Sequence, residues 1–176
     1  MSQPSVLIAG IGNIFHGDDG FGVAVAQKLA EAPLPAHVRV MEIGIRSVDL
    51  AFALLENPDL VILIDATQRA DAPGTLYTIE IEPANIPDVR NGGPIVNSHA
   101  FDPVRVLAFA KSMGAELKRI LLVGCEPLAL DHEDTGHIGL SEVVAAAIGP
   151  AVEMIRDLVA QFTAIDFEEV YSHERV

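Results

Sequence analysis

The sequence predicts an α/β protein in which an open, mostly parallel sheet is sandwiched between helices. Short apolar runs, typical of buried strands, alternate along the chain with longer segments that carry apolar residues at helical spacing. Clusters of glycine, proline, asparagine and aspartate separate these segments and predict the loops between them. Because strands that alternate with helices are joined by crossover connections, we expect most of the strands to run parallel.

Two strand–helix pairs make up the first part of the chain. Residues 6–9 form an apolar run that is followed by Gly10, and they predict a strand buried on both faces. After a loop rich in glycine and aspartate, residues 21–31 show helical spacing that stops before Pro33. Residues 38–42 predict the second strand, and residues 48–55 predict the second helix.

The middle of the chain contains the clearest strand. The apolar run at residues 60–64 leads directly into an aspartate. Residues 76–82 alternate apolar and polar side chains, as an exposed or edge strand does. A helix is predicted over residues 101–113, where a proline is compatible with the first turn. Residues 120–123 then predict another buried strand.

The carboxyl-terminal part predicts one long helix with an apolar face over residues 141–162, interrupted or kinked near Gly149 and Pro150. Residues 166–176 are acidic and predict a mobile tail. The chain contains no internal repeat and no low-complexity linker. We therefore expect a single α/β domain over residues 1–165, followed by the tail.

The composition favours a soluble cytoplasmic protein, and we expect a monomer. Half of the 176 residues are hydrophobic, but no apolar stretch approaches the roughly 20 residues that cross a bilayer, so no membrane association is expected. The amino terminus lacks the basic segment of a signal peptide. The single cysteine cannot form an internal disulfide, which agrees with a reducing compartment. The net charge of −14 repels a phosphate backbone, so nucleic acid is disfavoured as a partner.

The loop after the first strand contains Gly10 and Gly12, so a dinucleotide site has to be considered. That fingerprint requires a third glycine at position 15, which here is Phe15. Asp18 and Asp19 follow in the same loop and would repel a diphosphate. We therefore expect no nucleotide cofactor, and we attribute the two glycines to a tight turn.

Carboxylates lie at two predicted element ends. Asp18 and Asp19 precede the first helix, where one aspartate is enough for capping and either one is then available to face a cleft. Asp65 ends the third strand, and it lies at the same sheet edge as the first loop if both strands are parallel. Capping of a loop or helix is an equally good interpretation of Asp65 from its position alone.

His99 begins the third predicted helix and by itself is as typical of a surface or capping residue. Together with Asp19 and Asp65 it completes a set of one imidazole and two carboxylates. Such ligands suit borderline divalent cations, zinc and nickel among them. Three protein ligands leave positions open for water or for a substrate group.

Two other candidates compete with this set. Residues 131–137 contain His132 and His137, but the spacing does not match a zincin helix, and we interpret the segment as a solvated loop. Cys125 follows a buried strand and could pair with His99 as a nucleophile, but a lone cysteine on an apolar strand is more typical of a core residue. The chain has no Gly-x-Ser-x-Gly elbow that would present a nucleophilic serine.

Several motifs resemble those of the hydrogenase maturation protease family. The opening block is the most specific: Gly10-Ile11-Gly12-Asn13, followed by Asp18-Asp19-Gly20-Phe21-Gly22-Val23. Shorter matches follow in order: Leu63-Ile64-Asp65-Ala66, Ala72-Pro73-Gly74-Thr75, Ser98-His99, Val123-Gly124 and Ile138-Gly139-Leu140-Ser141. The resemblance extends from residue 6 to about residue 155 and so covers nearly the whole chain.

This resemblance implies a three-layer α/β sandwich of the phosphorylase/hydrolase-like type, built around a twisted five-stranded sheet. It implies an aspartic-type endopeptidase that removes a short C-terminal extension from the precursor of the nickel-iron hydrogenase large subunit, after nickel insertion. The catalytic and metal-contacting residues of the family fall on Asp19, Asp65 and His99. The resemblance also implies that nickel arrives in the precursor and is sensed by these residues.

One segment departs from the family pattern. Many relatives have Gly-Gly-Thr after the second strand, whereas residues 42–47 here are Glu-Ile-Gly-Ile-Arg-Ser. We expect this segment to face the substrate, so Gly44 and Arg46 are assigned as substrate contacts, together with Asp18 of the first loop. Some family members have glutamate at the position of Asp19, which has a shorter reach. The alternative function is a non-enzymatic metal-binding module, or metallochaperone, that uses the same three ligands.

Overall fold

The computed structural model describes residues 3–87, 102–128 and 138–172, without the side chains of residues 165–172. The strands are β1 (Val6–Ile11), β2 (Val38–Gly44), β3 (Leu60–Ala66), β4 (Leu76–Ile81) and β5 (Arg119–Cys125). The helices are α1 (Phe21–Ala30), α2 (Ser47–Leu54), α3 (Pro103–Ser112), α4 (Glu142–Ala146) and α5 (Ile148–Ser172). Single 3₁₀ turns occupy Gly17–Gly20 and Pro83–Asn85.

The described strands form one five-stranded sheet in the order β2-β1-β3-β5-β4. Strands β2, β1, β3 and β5 are parallel, and β4 is an edge strand that runs antiparallel to β5. This arrangement confirms the mostly parallel sheet and the edge position predicted for residues 76–82. Four carboxyl-terminal strand ends therefore share one edge of the sheet, where ligands of such folds bind.

Both faces of the sheet are covered, as expected for a three-layer sandwich. Along β1, Val6 and Ile8 belong to one core cluster, and Leu7 and Ala9 belong to the other, because successive side chains point to opposite faces. The first cluster includes Phe21, Val25 and Leu29 of α1 and Ile155 of α5. The second includes Leu50 and Leu54 of α2 and Leu107 of α3. Each fully buried side chain of this size contributes about 1.5–3 kcal/mol to folding.

Helix α1 packs directly on the sheet through glycines. A Cβ atom at Gly10 would overlap the carbonyl oxygen of Gly22, and a Cβ atom at Gly22 would overlap the carbonyl oxygen of Ile64. The backbone of α1 therefore lies against β1 and β3 with no side chain between them. This close packing explains two glycines of the opening motif without any bound phosphate.

The end of the chain agrees with the sequence prediction in its interrupted helix and differs from it in the extent of the tail. The interruption expected in the helix over residues 141–162 is confirmed: the segment is divided into α4 and α5, with the break at Ala147, just before Gly149 and Pro150. Pro150 lies in the first turn of α5, where its missing amide hydrogen costs no helical hydrogen bond. The helical backbone continues to Ser172, so the segment assigned to a tail, residues 166–176, begins inside α5. The mobility predicted for residues 166–176 stays a prediction.

Within the described residues, no helix has both the length and the apolar character that a bilayer crossing requires.

Candidate active site

The loops that follow the parallel strands meet at one edge of the sheet. Ile11 pairs with Gly44 at the end of β2, and Gly10 pairs with Ile64 near the end of β3. Asp65 in turn pairs with Gly124 of β5. The register thus places the loops after β1, β2, β3 and β5 side by side, and the two predicted carboxylate positions lie in this group.

Asp19 lies in the 3₁₀ turn between β1 and α1, and its side chain is partly exposed. Its Oδ2 accepts a hydrogen bond from the backbone amide of Asn13 at 2.6 Å. Gly12 has a φ of +119°, and a Cβ atom there would overlap the carbonyl oxygen of Asp19. The glycine of the motif is therefore required for a turn that folds tightly around Asp19. The N-cap residue of α1 is Gly20, so Asp19 does not cap this helix.

Asp18, in contrast, points into the protein and is only 3% exposed. Its carboxylate accepts three hydrogen bonds from described residues: from the backbone amide of Leu128 at 2.8 Å, and from the amide and the hydroxyl of Ser141 at 2.7 and 3.0 Å. It joins the loop after β1 to the loop after β5 and to the start of α4. The sequence left open which aspartate faces the cleft, and the structure favours Asp19. The burial of Asp18 argues against the substrate contact assigned to it, so we give it a structural role.

Asp65 lies at the carboxyl-terminal end of β3, and its Oδ1 accepts a hydrogen bond from the amide of Ala66 at 2.9 Å. Burial, followed by the negative charge of Asp19, raises the pKa of Asp65 to about 7. The charge of Asp19 thus acts on Asp65, which agrees with the two residues being on one edge. A pair of interacting carboxylates is suited to receive a cation or a positively charged group.

Glu126 is a polar residue of this region that the sequence analysis missed. It follows β5 directly, is 5% exposed, and accepts a hydrogen bond from the amide of Arg69 at 2.7 Å. Its backbone also exchanges hydrogen bonds with Gly74 and Thr75. Glu126 therefore fixes the loop after β3 to the end of β5. The rule that selected Asp65, a carboxylate at the end of an apolar strand, selects Glu126 only when the strand extends to Cys125, two residues beyond its predicted end.

Tyr77 was also missed, because an aromatic residue in an edge strand carries no functional signal. Its hydroxyl donates to the carbonyl of Thr67 at 2.8 Å, and the guanidinium of Arg69 lies 4.9 Å from the ring centroid. A Cβ atom at Gly124 would overlap the ring. Burial is the main cause that raises the pKa of Tyr77, and the charges of Glu126 and Asp65 also raise it. Those effects place the phenol in the same acidic surroundings as the carboxylates.

The environment of Cys125 argues against a thiol nucleophile. Its side chain is completely buried. Burial, followed by the charges of Asp18 and Glu126, raises the pKa of Cys125 to about 11, so the thiol stays protonated at neutral pH. This agrees with the core role that the sequence favoured.

Gly44 lies beside the first loop, as the assignment of residues 42–47 to the substrate-facing segment requires. The carbonyl of Gly44 accepts from the amide of Gly12 at 3.1 Å, and Gly44 has a φ of +59°. The guanidinium of Arg46 donates to the carbonyls of Glu42 and Ile43 and forms an ion pair with Asp49 at 3.2 Å. These local bonds hold Arg46 against its own segment, and its contact with a substrate stays a prediction.

The third predicted ligand, His99, lies outside the described residues, and so do His132 and His137 of the competing segment 131–137. Within the described ranges, no group of three or more histidine, cysteine, aspartate or glutamate side chains is placed to hold a metal ion. The structure thus brings together two members of the predicted trio, Asp19 and Asp65. The position of His99 relative to them stays a prediction.

Comparison with known proteins shows the family to which the chain belongs. The family model for hydrogenase maturation proteases matches residues 23–158 of the chain. The chain belongs to the hydrogenase maturation protease family. The resemblance found in the sequence motifs is thereby confirmed, and the enzyme class of this family is that of endopeptidases.

Individual members of the hydrogenase maturation protease family are similar over most of the chain. The hydrogenase expression/formation protein HupD of Rhodobacter capsulatus is 36% identical over 157 residues, which cover 88% of this chain and 71% of HupD. A putative hydrogenase maturation protease of Methanocaldococcus jannaschii is 30% identical over 158 residues, covering 88% of this chain and 96% of the relative.

A solved structure of the family has the same fold. The hydrogenase maturating endopeptidase HybD from Escherichia coli matches with a TM-score of 0.69 at 28% identity, covering 89% of this chain and 93% of that chain. The predicted α/β sandwich is therefore confirmed both by the strand order and by this likeness.

Proposed function

We propose that the protein is an endopeptidase that removes the C-terminal extension from a nickel-iron hydrogenase large-subunit precursor after nickel has been inserted. Membership of the hydrogenase maturation protease family supports the substrate class. The observation that supports specific residues is that Asp19 and Asp65 both lie at the carboxyl-terminal edge of the sheet, where the charge of Asp19 helps to raise the pKa of Asp65. We propose the cytoplasm as its location, in agreement with the lone, buried thiol.

In this proposal the nickel is part of the substrate and is sensed by Asp19, Asp65 and His99. Two carboxylates and an imidazole form a ligand set suited to nickel, and three protein ligands leave room for groups of the precursor. Two carboxylates that repel each other are both stabilised by a nearby cation. A precursor that carries its metal would therefore bind better than a precursor without metal. The family resemblance supports His99 as the third ligand.

The protein's own bonds keep the two carboxylates available. Asn13 and Ala66 each donate a backbone hydrogen bond to one oxygen, of Asp19 and Asp65 respectively. These bonds orient the carboxylates, and neither Asp19 nor Asp65 forms an ion pair with a lysine or arginine of the described residues. A cationic group of the substrate would therefore not have to displace such a partner.

Processing of a purified, nickel-loaded precursor tests the proposal. We expect Asp19→Asn, Asp65→Asn and His99→Ala each to reduce the cleavage rate by about 100-fold or more, the range that one catalytic side chain supplies. Asp157→Asn, an exposed carboxylate on α5, is the matched control and should cleave at the wild-type rate. Mass spectrometry of the precursor and circular dichroism of each variant separate loss of activity from loss of fold.

The same experiment separates the protease from the alternative, a metal-binding module or metallochaperone with the same ligands. A shortened precursor excludes a function limited to binding. Intact precursor together with nickel bound to the wild-type protein would favour the metallochaperone. Normal processing by all three variants would refute the assignment of the trio.

A further inference from the structure

Five large apolar side chains are exposed at one corner of the edge that contains Asp19. Phe15 is 64% exposed and Phe52 is 61% exposed, although both are aromatic residues that proteins usually bury. We call this group the rim patch, and it consists of Ile14, Phe15, Ile45, Val48 and Phe52. Single exposed apolar residues need no explanation, but a contiguous group marks an interaction surface.

The backbone places the segments that carry the rim patch next to one another. The amide of Gly12 donates to the carbonyl of Gly44 at 3.1 Å, so the loop of Ile14 and Phe15 starts beside the segment of Ile45. Val48 and Phe52 are four residues apart on α2 and therefore lie on the same face of that helix.

Residues 44–52, which supply three members of the rim patch, carry no net charge in a chain whose net charge is −14, whereas the loop of Ile14 and Phe15 adjoins Asp19. Arg46 and Asp49 are the charged residues between Gly44 and Phe52. They pair with each other at 3.2 Å, and Arg46 also donates to two carbonyls. On the α2 side of the rim patch a partner therefore needs no charge, and an apolar contact is the chemistry that fits this surface.

The rim patch and the candidate active site are parts of one loop. The amide of Asn13 holds the carboxylate of Asp19, and the side-chain carbonyl of Asn13 accepts a hydrogen bond from the amide of Phe15 at 3.0 Å. Any protein whose peptide bond reaches Asp19 and Asp65 must therefore lie close to Phe15. This proximity indicates that the rim patch binds the protein substrate.

We propose that the rim patch docks an uncharged, apolar surface of the precursor and thereby determines the affinity for the substrate. The inference rests on the proposed function and extends it, because it assigns substrate affinity to residues outside the Asp19–Asp65 pair. The patch makes no contact with the reacting groups in this proposal, so its contribution is to KM.

Steady-state cleavage of nickel-loaded precursor by Phe15→Ser and Phe52→Ser tests the proposal. Each exposed ring that is buried on docking should account for about a tenfold or greater rise in KM when removed, with kcat within about twofold of wild type. Phe15→Leu, which retains most of the apolar surface, should restore much of the affinity. Met113→Ser is the control, since Met113 is 39% exposed after α3, away from the shared edge of the strands.

The outcomes distinguish this inference from the function on which it rests. Wild-type cleavage with unchanged KM in both serine variants overturns the docking role and leaves the protease assignment intact. A wild-type protein that cuts no nickel-loaded precursor overturns both. If a serine variant has an unchanged KM but light scattering shows that it turns a dimer into a monomer, the patch binds a second copy of the chain. If the variant has an unchanged KM but a lower unfolding temperature, the patch packs against another segment of the same chain. Either result overturns docking of the precursor.

Discussion

Adjacent aspartates have opposite environments at the start of α1. The carboxylate of Asp18 receives three hydrogen bonds inside the protein, whereas Asp19 is partly exposed and receives the amide of Asn13. The sequence showed that one aspartate was surplus to capping, but it could not show which one, because Leu128 and Ser141 are more than a hundred residues away. A long-range hydrogen bond of this kind has no local sequence pattern.

The burial of Asp65, together with the charge of Asp19, predicts a pH-dependent loss of stability in the metal-free protein. Its carboxyl has an ordinary pKa near 3.9 when unfolded and a pKa of about 7 when folded. Between these values the unfolded chain releases the proton and the folded protein keeps it, so this group lowers stability as pH rises to about 7, after which the loss is constant. Asp65→Asn removes the charge, and its amide oxygen can still accept from Ala66.

We therefore expect Asp65→Asn to unfold at a higher temperature than wild type at pH 8, by at least about 2–4 °C, the shift that 1 kcal/mol produces in a chain of this size. The difference should be smaller at pH 5. Thermal denaturation with a chelator present measures both values, and Asp157→Asn controls for the loss of one exposed negative charge. A less stable Asp65→Asn protein at pH 8 would show that the ionised carboxylate of Asp65 does not destabilise the folded protein.

At the scale of elements, the sequence located all five described strands: apolar runs located β1, β3 and β5, which lie in the interior of the sheet, and an alternating pattern located β4. The direction of β4 was not predictable from its alternating pattern. The connection from β3 to β4 spans residues 67–75, which is too short for the crossover that a parallel strand requires. Strand β4 consequently turns back along β5. Glu126 was missed because the strand was predicted to end at residue 123, whereas β5 extends to Cys125 and Glu126 follows it directly.

The contact of α1 with the sheet gives a second prediction. A Cβ atom at Gly22 would overlap backbone atoms of Ile64 and Ile11, neither of which can rotate away. Gly22→Ala should therefore destabilise the protein by about 1–3 kcal/mol, the usual cost of overpacking, and also disturb the turn that holds Asp19.

Gly149→Ala is the matched control for that prediction. Gly149 lies in the first turn of α5, and an added Cβ atom would meet no described atom within 4 Å. Alanine should stabilise this helix by about 0.5–1 kcal/mol relative to glycine. Urea denaturation of both variants measures the two opposite changes. Equal effects at the two positions would mean that α1 does not depend on direct backbone contact.

At the scale of the whole molecule, charge opposes folding more than the surface ion pairs support it. The chain carries 25 acidic and 11 basic residues, so most carboxylates have no basic partner available. Exposed ion pairs of the described residues, such as Arg39–Glu56 and Lys28–Glu31, contribute at most about 1 kcal/mol each. Added salt weakens both these pairs and the general repulsion, but the excess of like charge makes the repulsion the larger effect.

Raising sodium chloride from about 20 to 300 mM, which shortens the Debye length from roughly 20 to 6 Å, should therefore raise the unfolding temperature at pH 7. The net charge disappears near the isoelectric point of about 4.6, so the same addition should have little or no stabilising effect at pH 5. Calorimetry at the two pH values compares these responses, and the pH 5 series controls for effects of salt on apolar burial. A fall in the unfolding temperature at pH 7 would show that specific ion pairs outweigh the repulsion, and that the acidic surface is locally compensated.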